Sequence, residues 1–102
     1  MGEALDIEYK TKKIEKVCTE PKTAERTYGA EMAAKIHQRI DEIKAADSVE
    51  TMIKFRIGRC HPLSNNRKGQ FAVDLVQPYR LVFEKDGINI RLVIVLEIVD
   101  YH

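Results

Sequence analysis

Residues 70–99 read "QFAVDLVQPYRLVFEKDGINIRLVIVLEIV". Their apolar positions fall into two alternating sets, Phe71, Val73, Leu75 and then Tyr79, Leu81, Phe83, divided at Gln77-Pro78. Alternation with a period of two is the mark of strands that bury one face. At "KDGI" the pair Asp86-Gly87 suits the positive φ angles of a tight type I′ hairpin turn. Beyond it, "IRLVIVLEIV" is apolar almost without interruption, which predicts a strand near the middle of a sheet.

Upstream the periodicity changes. "ALDIEY" sets Leu5, Ile7 and Tyr9 on one face and Asp6 and Glu8 on the other, a half-buried strand. Thr11 is placed to cap a short helix whose Ile14, Val17 and Cys18 follow helical spacing, and Pro21 restarts the chain. "AERTYGAEMAAKIHQRIDEIKAA" predicts a longer helix with Met32, Ile36, Ile40 and Ile43 on one side and a bend or break at Gly29. His37, beside Ile36, reads as a helix-surface or boundary residue. Ser48 is placed to cap a further helical turn in "SVETMI". The expected fold is α+β, in the order β-α-α-β-β-β, with a mainly antiparallel sheet covered on one face by two helices. At 102 residues the chain is expected to form a single domain, 1–102.

The net charge of +1 conceals an uneven distribution. Residues 1–53 carry nine Lys/Arg against eleven Asp/Glu, a net of −2. From Lys54 to Phe83 six cations (Lys54, Arg56, Arg59, Arg67, Lys68, Arg80) face Asp74 alone, a net of +5. Such clustering points to an anionic partner at one face, and the four arginines among the six suit phosphate. Alternation sends Arg80 to the side of the sheet opposite Tyr79, Leu81 and Phe83, with Asp74 also turned from the core. The "SNNRKG" loop would then stand at the rim. The plainer possibility is that Arg80 pairs with Asp74 or Glu84 across strands.

The longest apolar run, Leu92 to Leu96, is far short of the ~20 residues that cross a bilayer. "MGEALDIEYK" lacks the apolar segment of a secretory signal, so a cytoplasmic location with no membrane partner is expected. Cys18 and Cys60 are expected as reduced thiols. Cys60 adjoins His61, but no C-x-x-C or H-x-x-x-H spacing accompanies them, and neither a metal site nor a cofactor is expected.

"CHPLSNNRKGQFAVDLVQPYRLVFE" with the closing "EIVDYH" resembles the HigB branch of the RelE/ParE toxin superfamily, bacterial toxin–antitoxin killer proteins linked to plasmid maintenance. The resemblance extends over nearly the whole chain. It implies a RelE/ParE-like fold and an endoribonuclease that cuts messenger RNA in the ribosomal A site. The implied chemistry needs no metal: the RNA's own 2′-hydroxyl attacks the adjacent phosphorus and displaces the next 5′-oxygen. Alignment, phosphoryl charge stabilisation and proton transfer at each end carry the catalysis.

Carried over by position, Arg80 would grip the scissile phosphate, and His61 would act as acid or base. Asp100, Tyr101 and His102 match the functional "DYH" terminus. Arg67 and Lys68, with Arg59 and Arg56, would hold RNA. Some relatives place a catalytic lysine three residues after the histidine of "HPL", where this chain has Ser64, and Lys68 is the nearby candidate for that ammonium. Some also have an arginine five residues before Arg80, where this chain has Leu75. The implied partners are a HigA-like helix-turn-helix antitoxin, the ribosome and messenger RNA, with DNA reached only through the antitoxin. Two rival functions stand beside this one. One is a ParE-like toxin that inhibits DNA gyrase by protein binding; the other is an inactive module that only binds antitoxin.

Overall fold

The computed structural model describes residues 4–100. β1 (Asp6–Tyr9) leads into α1 (Lys12–Thr19), α2 (Pro21–Tyr28), α3 (Ala30–Ala45) and α4 (Val49–Lys54). The short β2 (His61–Pro62), β3 (Gln70–Asp74), β4 (Tyr79–Lys85) and β5 (Leu92–Asp100) follow. The five strands form one sheet in the order β1-β5-β4-β3-β2. Only β1, paired with β5, runs parallel to its neighbour; the remaining pairings are antiparallel. The α+β fold and mainly antiparallel sheet expected from the sequence are therefore present, and the apolar β5 is internal, as its composition implies.

Local chemistry sets the helix boundaries. Thr11 accepts a hydrogen bond from the Ile14 amide, and Ser48 accepts one from the Thr51 amide, so both hydroxyls satisfy otherwise orphaned donors. Pro21 sits in the first turn of α2, where its missing N–H is harmless. Gly29 adopts φ +90°, ending α2 and starting α3. The single long helix of the periodicity is thus two, broken at the residue where a break was expected. With α4, the helical layer has four members in place of two.

One face of the sheet packs against these helices. Val73, Leu81, Phe83, Val93 and Val95 are inaccessible there and meet Val17, Cys18, Ile36 and Ile43. Phe83 stacks on Phe71 at 5.8 Å between ring centroids. Fully burying side chains of this size contributes roughly 1.5–3 kcal/mol each.

The β4–β5 connection departs from expectation. Asp86-Gly87 does not form a two-residue turn; the strands are joined by six residues, 86–91. Asp86 Oδ2 accepts hydrogen bonds from the amides of Ile88 and Asn89, at 3.0 and 2.8 Å. An aspartate that caps its own following turn competes with the hairpin geometry the dipeptide otherwise favours. No helix among the described residues is long and apolar enough to cross a membrane.

Candidate functional site

The second face of the sheet is set by register. Directly paired residues share a face, so His61, Ala72, Val82 and Glu97 form one row, and Asp74, Arg80 and Val99 the next. This face is opposite the one covered by the main core, because Leu81 and Val73 alternate with Val82, Arg80, Ala72 and Asp74. Ala72 and Val82 are nevertheless inaccessible, so the face has a closed apolar centre with polar groups at its end.

At that end a bay of about 470 Å³ is lined by Ile53, Arg56, Arg59, Cys60, His61 and Arg80. A depression of similar size beside β1, about 420 Å³, is lined by both Glu8 and Glu15 as well as Lys10 and Lys12, with no such excess of one sign. Three of the six residues lining the basic bay are arginines. Two of these, Arg56 and Arg59, have left-handed backbones at φ +54° and +55°, with Gly58 at +59° between them. A non-glycine residue in that region costs of order 1–3 kcal/mol and persists only where surrounding structure enforces it.

Two of the three arginines share one anion, Asp74. Its carboxylate, 9% exposed, lies 3.4 Å from Arg80 Nε through Oδ1 and 3.4 Å from Arg59 Nε through Oδ2. One buried anion thus bridges a cation of β4 and a cation of the turn before β2, offsetting their mutual repulsion. Both distances exceed the roughly 2.7–2.9 Å of a good charge-assisted hydrogen bond, so this is charge balance more than tight bonding. From below, α3 supplies Arg39, whose Nε donates to the Asp74 backbone carbonyl at 2.6 Å and whose Nη1 pairs with Glu42 at 2.8 Å. A Cβ placed on Gly58 would lie 2.8 Å from Arg39 Nε. Glycine at 58 is therefore favoured both by its left-handed φ and by the closeness of Arg39.

His61 Nδ1 lies 2.8 Å from the Arg59 carbonyl oxygen. A carbonyl only accepts, so Nδ1 carries hydrogen, and the neutral ring keeps Nε2 as its basic atom. Cys60 is 4% exposed, and burial pushes its thiol up to about 11, which keeps it protonated and unreactive at neutral pH.

The sequence-derived candidates are distributed unevenly. Arg80, His61, Arg59 and Arg56 converge on the bay. Arg67 and Lys68 do not line it. Arg67 ends a one-turn 3₁₀ segment, Asn65–Arg67, and pairs with Glu97 at 2.8 Å and with Gln70 Oε1 at 2.9 Å. Lys68 follows, exposed, on the same turn. Ser64 begins that turn, and Leu75 is 5% exposed in the core, so no basic group enters the bay at either position. Asp100 ends β5 opposite Tyr79, one residue beyond Arg80's partner Val99. Tyr101 and His102 lie outside the described residues. The sequence reading offered the pairing of Arg80 with Asp74, which is present, and missed the burial of that carboxylate with Arg59 as its second partner and the role of Arg39 as a support. The first had a signal, a lone acid within the basic stretch. The second had none, since Arg39 is 35 residues from the carbonyl it holds.

No protein-family model and no curated protein matches the chain. Solved structures do. A chain of the YoeB-YefM complex from Staphylococcus aureus is 19% identical, with 96% of this chain and 97% of that one covered at a TM-score of 0.63. The YoeB/ParE toxin from Agrobacterium tumefaciens is 14% identical, covering 96% and 100%, also at 0.63. A chain of the toxin-antitoxin complex RelBE2 from Mycobacterium tuberculosis is 15% identical, covering 96% and 99%, at 0.54. Identities this low speak to architecture, and the coverage is nearly complete in both directions. The chain has the α+β fold of the RelE/ParE-like toxins.

Proposed function

We propose that the chain is the HigB-like toxin of a type II toxin–antitoxin pair and cleaves ribosome-bound messenger RNA. The observation that supports this best is the company of Arg80: a guanidinium on the open side of the sheet, in one bay with His61, Arg56 and Arg59. In the proposed reaction the phosphate lies against Arg80, whose fixed charge stabilises the phosphorane-like transition state. The 2′-oxygen bonds to phosphorus as its proton leaves to a base, for which His61 Nε2 is the candidate. The bond to the 5′-oxygen breaks, and that oxygen takes a proton from an acid, leaving a cyclic phosphate and a 5′-hydroxyl. Asp100, Tyr101, His102 and Lys68 are the candidates for the acid and for orienting groups. Arg56 and Arg59 would hold the flanking backbone, with Arg67 and Lys68 further along the strand. DNA, without the 2′-hydroxyl, would not react. A HigA-like antitoxin is the proposed partner that restrains the activity, and the cytoplasm its proposed place.

A second reading draws on Ser64 and Leu75, the positions where some HigB-like proteins carry a lysine and an arginine. In that reading the basic face binds DNA gyrase as a protein ligand. The deciding experiment adds purified protein to a translating extract and maps message ends by primer extension, for wild type, Arg80→Ala and His61→Ala. Cuts within codons that both variants lose are expected. Intact messages together with inhibited supercoiling would overturn the nuclease in favour of the gyrase reading.

A further inference from the structure

Three large apolar side chains are exposed among the described residues: Phe55 at 67%, Ile88 at 95% and Ile90 at 80%. The two isoleucines belong to the β4–β5 connection, at the far end of β4 from Arg80. Phe55 is different. It caps the C-terminus of α4; Arg56, which follows it, and Ile53, two residues before it, both line the basic bay. Its ring is met by the Lys54 ammonium, 5.6 Å from the centroid. Leaving a phenylalanine largely in water forfeits most of the stabilisation its burial would give. Here it directly precedes Arg56 of a bay whose charged lining residues are all cationic, with the Asp74 carboxylate buried beside Arg59 and Arg80.

An exposed aromatic face beside a cationic groove is the arrangement that holds single-stranded nucleic acid, with cations along the backbone and a ring under a base. A peptide partner fits less well, since it would need to be acidic throughout the bay and apolar only at its edge. We propose that Phe55 is a stacking platform for one nucleobase of a single strand whose phosphates occupy the bay of Arg56, Arg59 and Arg80. The proposal rests on the RNA-directed reading above and adds to it a contact that recognises bases and not charge.

The test uses the full chain and a short, uniformly 2′-O-methylated RNA, which cannot be cut, beside an abasic oligonucleotide of equal length and charge. Binding is followed by fluorescence anisotropy. Wild type is expected to prefer the base-bearing strand, and Phe55→Ala to lower that preference by about 5- to 150-fold, the range of a single stacked base. Phe55→Trp should retain it and Phe55→Leu should not, while the salt dependence stays that of wild type in all three. An unchanged preference in Phe55→Ala overturns the platform and leaves the nuclease reading standing. So does a changed sedimentation of Phe55→Ala with the preference intact, which would make Phe55 a contact between copies of the chain. Failure of wild type to bind either strand, with messages intact in a translating extract, overturns both.

Discussion

Asp74 Oδ1 and Arg80 Nε stand 3.4 Å apart across directly paired positions of β3 and β4, and the same carboxylate faces Arg59. The pairing and the proposed phosphate grip are therefore not alternatives. The carboxylate holds two cations side by side that would otherwise separate. Removing its charge takes from Arg80, 26% exposed, and from Arg59 the buried carboxylate they share. Arg59 is 76% exposed and recovers hydration, so the loss falls short of that for a fully buried pair. Asp74→Asn is expected to cost about 1–3 kcal/mol. Urea unfolding should show a lower midpoint at unchanged slope. A midpoint equal to wild type would mean that the bridge holds nothing.

Arg80→Ala and His61→Ala should separate stability from chemistry. His61 lies outside the apolar core, so His61→Ala should keep an unfolding midpoint close to that of wild type, whereas Arg80→Ala takes a partner from the buried Asp74 carboxylate and should lower the midpoint about as much as Asp74→Asn. Message cleavage should fall by about 10²–10⁴ for His61→Ala, the worth of a positioned acid–base group. Arg80→Ala should lose at least about 10²-fold, as expected for a charge-stabilising donor. Loss of cleavage only in proportion to loss of folded protein would remove both from the chemistry.

The turn under the bay makes a sharper test. Gly58→Ala requires φ +59° of an alanine, costing about 1–2 kcal/mol, and sets its methyl against Arg39. Arg39 cannot swing away without releasing the Asp74 carbonyl and Glu42. The two sites are thus coupled. In a double-mutant cycle, Arg39→Ala should recover part of the Gly58→Ala loss, with an interaction energy of about 0.5–3 kcal/mol. Strict additivity of the two midpoint shifts would show that the contact is not what fixes glycine there.

Alternation, helical spacing and capping residues made the architecture legible before any coordinates: Thr11, Ser48 and Gly29 mark boundaries by local chemistry alone. Arg80 could be assigned to the open face because a strand's period of two is rigid. The β4–β5 turn could not, because the Asp86 side chain claims the amides of Ile88 and Asn89 and so lengthens the loop. The bay was half legible. Its cations all fall in the basic stretch from Lys54 to Phe83, but their mutual placement depends on the register of β3 with β4 at Asp74 and on Arg39 of α3. The separation of Arg67 from the bay was not legible either, since its partner Glu97 lies 30 residues away.

Alkaline pH should loosen the fold through two buried thiols and the half-buried Tyr9 phenol. Burial pushes Cys18 up to about 12, Cys60 to about 11 and Tyr9 to about 12. Each raised value means that the folded state holds the proton more tightly than the unfolded chain. The associated stability is complete below the unfolded values, near 9 for the thiols and 10 for the phenol. It is lost as pH rises from there through the folded values. The melting temperature should therefore fall above about pH 9. Cys18→Ala should flatten that fall after allowance for its own packing loss. Native protein at neutral pH should also resist a thiol reagent that labels both cysteines after unfolding. Rapid labelling of Cys60 in the native state would contradict its burial.

The Arg67–Glu97 pair offers the reverse of the Asp74 bridge. Both partners are substantially exposed, at 34% and 47%, so water and salt screen them and the pair contributes at most about 1 kcal/mol. Glu97→Gln should leave the unfolding midpoint nearly unchanged. It removes an anion that shares the row of His61, Ala72 and Val82 on the open face. It also releases the Arg67 guanidinium toward any backbone following that face. If a strand runs from the bay toward the 3₁₀ turn, Glu97→Gln should tighten binding of the methylated RNA. The logarithmic salt slope should then steepen by about 0.7, the increment for one more phosphate contact on a single strand. Arg67→Ala in the same background should restore the wild-type slope. A slope insensitive to both changes would mean that the strand leaves the bay by another route, and that Arg67 serves only to fasten the turn to β5.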